Sequence, residues 1–168
     1  LFPSYKKFIG SYMNGNKNVL LKEMVKYADV FRSKIDGSVV DKELPKKAGI
    51  ERINVLIFAL DTTTLIPYIL FIEKNVQDEQ QKNDLYEYLE SYIMRRLVTR
   101  QTTKNYNQLF TERLIANRVT TKSDFIVYLA KQTDKINYMP TNSEVTAAFH
   151  TSVLTNKYAA GTIYLLES

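Results

Sequence analysis

Cysteine is missing from this chain of 168 residues, and histidine occurs once, at His150. Without cysteine there are no disulfides, no thiolate zinc sites and no thiol nucleophile, a composition compatible with the cytosol. A single histidine leaves these residues without a His-rich zinc site, a His-Asn-His nuclease centre or any two-histidine mechanism. The five glycines, Gly10, Gly15, Gly37, Gly49 and Gly161, stand far apart, so no glycine-rich loop exists to cradle a phosphate. Asn14-Gly15-Asn16 reads as a turn. Long apolar runs are also lacking. The longest, Leu65 to Ile72, is interrupted by Pro67 and is far too short to span a bilayer. No basic-then-apolar signal opens the chain. It begins Leu1-Phe2-Pro3 and stops inside the apolar helical pattern Ile163 to Glu167, which points to a fragment of a longer, cytoplasmic protein.

What is present is a concentrated positive charge. Residues 91–122 hold Arg95, Arg96, Arg100, Lys104, Arg113, Arg118 and Lys122 against one acid, Glu112, while the whole chain has a net charge of only +5. The entire surplus therefore lies in this segment. Such a segment either meets a polyanion or serves internal pairing.

The periodicity is helical nearly throughout, and the length suits one domain with a proper core. Leu20, Leu21, Met24, Val25, Ala28 and Phe31 form an apolar stripe, with Gly37 expected as the C-terminal cap. Ile53, Leu56, Ile57 and Leu60 form the next. Pro67 fits the first turn of a central helix. A helix from about Asp78 to Arg100 and another from Tyr106 to Asn117 flank the turn Thr99–Tyr106. Thr121 with Asp124, and Thr141 with Glu144, have the spacing of capping boxes. The last helix begins near Tyr158. With no alternating run long enough for a strand, the expectation is a single all-α domain, 1–168, of about eight helices in an irregular bundle.

Arg96 shares a helical face with Leu85, Leu89 and Tyr92, and Arg100 falls on the same stripe, so both are expected to point into the core. A buried guanidinium requires a partner, either helix C-terminal carbonyls or a carboxylate, and Asp61 and Glu73, which bound the apolar helices, are the expected candidates for an ion pair; the functional alternative is that the stripe ends at a groove where the arginines grip phosphates. Arg95, Arg100, Lys104, Tyr106, Arg113, Arg118 and Lys122 are the candidate nucleic-acid contacts, the cations for phosphates and Tyr106 for base stacking. Tyr5, Tyr12, Tyr68, Tyr88 and Tyr92 belong with core or rim. Glu87 and Glu90 read as a solvated helix face. No catalytic, cofactor-binding or metal-ligating residue emerges, and His150, with Glu144 nearby, reads as structural or exposed.

The segment Tyr88-Leu89-Glu90-Ser91-Tyr92-Ile93-Met94-Arg95-Arg96-Leu97-Val98, followed by Thr103-Lys104-Asn105-Tyr106-Asn107 and Phe110, resembles the helical region of GmrSD-type modification-dependent restriction endonucleases. Met139-Pro140-Thr141, Phe149, Tyr158 and Leu165-Leu166-Glu167 are similar to further landmarks, as is Leu60 to Ile72. The similarity spans roughly residues 50–168. In that family a ParB-like nucleotide-hydrolysing domain with an Asp-Gly-Gln-Gln-Arg motif precedes this region, and a His-Asn-His nuclease follows it. Neither motif is in this sequence. The resemblance therefore implies a non-catalytic connector between the two in a bacterial phage-defence protein, with the flanking domains as partners and no cofactor of its own. The alternatives are a module contacting the DNA backbone through residues 95–122, or a stand-alone helical protein-interaction domain.

Overall fold

Side-chain oxygens cap the N-termini of several helices, and the caps at Thr121 and Thr141 are readable in the sequence. In a computed structural model, which describes residues 6–8, 10, 11, 16–132 and 136–168, the Asp78 carboxylate accepts from the backbone N–H of Gln80 and of Gln81. Thr121 Oγ1 accepts from the Asp124 N–H. Thr141 and Glu144 form a reciprocal capping box. These contacts satisfy N–H groups that have no partner inside the helix.

In chain order the elements are α1 (Lys17–Lys34), a 3₁₀ turn (Gly37–Asp41), α2 (Ile50–Phe58), a 3₁₀ turn (Thr63–Leu65) and α3 (Ile66–Asn75). Then come α4 (Glu79–Val98), α5, α6 (Lys122–Ala130), α7 (Asn142–Thr151) and α8 (Asn156–Glu167). Within α5, two short α segments, Tyr106–Gln108 and Leu114–Ala116, flank a π-helical turn, Leu109–Arg113. No strand occurs among the described residues, and the protein is all-α as its periodicity implies. Tyr5, Tyr12 and the Asn14-Gly15 turn lie outside the described residues.

Contacts divide the chain into two compact units, 1–34 and 35–168. The first contains α1, none of whose residues is buried; Leu21, Met24, Val25 and Phe31 of its apolar stripe are all exposed. Gly37 does not cap α1. It begins the following 3₁₀ turn, whose N-cap is Asp36, and its Cα faces the Phe58 ring. The Ser38 hydroxyl and N–H, followed by Lys42, hold the Asp36 carboxyl down to a pKa of about 2.

The second unit is built around α4, which packs against α2, α6 and α7; α8 packs on α2, and α3 on α5. Its core joins Ile53, Leu56 and Ile57 of α2 with Tyr68, Ile69 and Ile72 of α3 and with Leu85, Leu89 and Tyr92 of α4. Phe110 and Phe125 complete it from α5 and α6. The Gly161 Cα lies so close to α2 that an added Cβ would come within 2.6 Å of Leu60 Cδ2.

Candidate functional site

The Tyr92–Arg96 stretch of α4 grips one segment of backbone. Arg96 is 1% exposed. Its Nη1–H donates to the carbonyl of Tyr138 at 3.0 Å, and its Nη2 donates to those of Ile136 at 2.8 Å and Thr102 at 2.7 Å. Its Nε–H donates to Tyr106 Oη at 3.2 Å. The guanidinium also lies against the rings of Tyr92 and Tyr106, 5.4 and 5.5 Å from their centroids. Tyr92 donates its hydroxyl to the Asn137 carbonyl at 3.0 Å, and Arg95 Nη1 donates to that of Pro140 at 3.1 Å. Four carbonyls between residues 136 and 140 thus accept from three side chains on one helix.

This corrects the expected ion pair. Asp61 pairs instead with Lys157, and Glu73 accepts from Lys82 at 3.1 Å and from Tyr86 at 2.7 Å. Among the described residues Arg96 reaches no carboxylate, because backbone carbonyls in the loop after its own helix and in the 136–140 segment already surround its planar fork of donors. Tyr106, expected to stack on bases, is 4% exposed and belongs to the core, against Phe110.

The other predicted contacts scatter. Arg95 is half-buried and also donates to Ser91 Oγ at 3.1 Å. Lys122 pairs with Glu87 at 3.1 Å across α6 and α4. Arg100, expected on the core stripe, is instead exposed because the helix ends at Val98 before it, and like the exposed Arg118 it occupies left-handed backbone, φ 55° and 49°. Each sits just past a helix end in a Schellman motif. Gln101 and Arg100 donate back to Arg96 and Leu97, and Val119 and Arg118 to Leu114 and Ile115. Lys104 is exposed in the loop, and Arg113 is half-buried in the π turn. Arg100, Lys104, Arg113 and Arg118 form no ion pair with any described carboxylate. His150 is exposed on α7, and Glu144 is committed to the cap of that helix and to the Tyr138 hydroxyl.

Beside this strut lies a groove of about 850 Å³. α4 lines it with Glu87, Glu90, Met94, Arg95 and Val98; Val145 and Phe149 of α7 and Leu165 and Leu166 of α8 face them, with Lys46 and Lys47 on the approach to α2. In its lining, Arg52 meets Glu90 through two donors, Nη2 to Oε1 at 2.7 Å and Nε to Oε2 at 2.9 Å. Arg52 Nη2 also donates to the Leu165 carbonyl at 2.8 Å, which ties α2, α4 and α8 together. The Glu90 carboxylate beside it raises the Arg52 pKa. Glu90 is therefore half-buried and paired, not part of a solvated face. The available signal was Arg52, which lies four residues before Leu56 on the same apolar face of α2.

No helix among the described residues is long and apolar enough to cross a membrane. No family model, curated protein or solved structure matches this chain.

Proposed function

We propose that this chain is a non-catalytic helical connector, an interaction domain that couples a nucleotide-hydrolysing domain to a nuclease domain in a modification-dependent DNA restriction protein of phage defence. The observation that carries this reading is the internal use of the arginine pair. Arg96, at the N-terminal end of the basic segment, is buried and spends its donors on the carbonyls of residues 102, 136 and 138 and on the Tyr106 hydroxyl, and Arg95 adds one bond to the Pro140 carbonyl. A guanidinium consumed in this way, as that of Arg96 is, positions helices and does not track phosphates. The GmrSD-type resemblance supplies the flanking domains of this proposal.

A second reading, a module contacting the DNA backbone, draws support from Arg100, Lys104, Arg113 and Arg118, which lack carboxylate partners among the described residues. Duplex-DNA binding measured by fluorescence anisotropy at low and moderate salt separates the two. The connector reading expects no salt-sensitive binding by the wild type, together with a marked fall in the urea midpoint of Arg96→Ala. Binding that falls steeply with salt and disappears in a folded Arg100→Ala/Arg113→Ala/Arg118→Ala variant would establish the DNA reading instead.

A further inference from the structure

Charge in the groove is unevenly spent. Two of its acids are paired with cations, Glu90 with Arg52 and Glu87 with Lys122; Asp84, held by the neutral Gln80 side-chain amide at 2.7 Å, is the one lining side-chain carboxylate without a described cation partner. Its cations are less fully paired. Lys46 and Lys47 are exposed and pair with no described carboxylate, and Arg95 uses its donors on a hydroxyl and a carbonyl, leaving its charge uncompensated. The potential over the groove is therefore positive although its lining residues nearly balance in formal charge.

Beneath these cations the lining is apolar: Met94, Val98, Val145 and Leu165, with Phe149 and Leu166 at 59% and 66% exposure. Large apolar side chains exposed around one concavity mark a surface that a partner covers.

We propose that this groove receives an acidic amphipathic segment of a partner protein. Its apolar face covers Met94, Phe149 and Leu166, and its carboxylates meet Lys46, Lys47 and Arg95. The groove is open and its apolar rim extends along α7 and α8, which fits a helix laid into it. The inference rests on the interaction-domain reading above and names the partner's chemistry.

The test uses the whole 168-residue chain. The probe is a fluorescein-labelled helical peptide with Leu and Phe at i, i+3, i+4 and i+7 and Glu elsewhere. A second probe carries Lys in place of every Glu. Saturable binding of the Glu probe is expected, weakened about tenfold by Lys46→Glu/Lys47→Glu and by raised salt, in line with rim charges steering association. Phe149→Ala/Leu166→Ala, also at exposed positions, is expected to weaken it to a similar extent, with circular dichroism unchanged. Absence of binding by the Glu probe, equal binding of the Lys probe, or indifference to the Lys46/Lys47 and Phe149/Leu166 variants would overturn the proposal. So would capture of duplex DNA by Lys46 and Lys47 in place of the peptide. None of these outcomes touches the role of Arg96, whose removal tests the connector reading separately.

Discussion

Arg96 holds its charge against three carbonyls and a hydroxyl, and none of these acceptors is charged. Arginine suits the place because its flat guanidinium donates in several fixed directions while lying between two rings. Arg96→Ala would leave those acceptors buried without donors and open a cavity, at a cost of about 3–5 kcal/mol. Urea denaturation should show the midpoint falling with the slope unchanged. Arg96→Lys is expected to recover little of the loss, since an ammonium cannot reach both sides of the fork. Arg100 shows the opposite situation. Its left-handed φ of 55° is a conformation in which glycine is at ease and a side chain is not. Arg100→Gly should therefore raise the urea midpoint, by an amount equivalent to roughly 0.5–1 kcal/mol. A fall in stability would mean that the Arg100 side chain makes a contact worth more than the strain.

At the scale of the element, α4 is opened by Asp78, closed by a Schellman motif at Arg100, and lends Val98 O to the Ser152 hydroxyl at 2.8 Å. The caps at Thr121 and Thr141 were legible because an N-cap needs only a side-chain oxygen at a fixed spacing. The Schellman ends were not, since arginine at the left-handed position carries no sequence signal. Nor was the π turn in α5, where one extra residue in a turn brings Leu109, Phe110 and Leu114 all inward. Thr141 begins α7 immediately after the gripped 136–140 segment. Thr141→Ala is expected to cost about 1 kcal/mol through loss of the capping box, read as a lower thermal midpoint. An unchanged midpoint would mean that the grip from Arg95 and Arg96 alone sets the start of α7.

Over the whole molecule, four buried tyrosines, Tyr68, Tyr86, Tyr92 and Tyr106, have pKa values raised above the ordinary tyrosine value, in each case chiefly by burial. The hydroxyl of Tyr86 also donates to Glu73, and that of Tyr68 to the Val119 carbonyl. A tyrosine that stays protonated when folded but ionises near pH 10 when unfolded binds more protons in the native state. Its stabilisation is complete below that pH and is lost as pH rises. Four such groups acting together imply a slope of about 5 kcal/mol per pH unit above pH 10. Against a typical total of about 5–15 kcal/mol, cooperative unfolding is expected at about pH 11–12. A circular dichroism titration with tyrosinate absorbance should show ionisation and helix loss together. Ionisation of all twelve tyrosines with the helices intact would contradict the burial described here.

The sequence alone determined the helical class, the N-terminal caps of α6 and α7 and the inward face of Arg96, because period and cap chemistry are local properties of the chain. Only the tertiary structure decided what Arg96 meets, that Tyr106 is core, and that Arg52 and Glu90 join beside a groove. Those outcomes depend on which loop backbone passes a given helix face. Carbonyl oxygens, present at every residue, leave no mark in a sequence to say where they will gather.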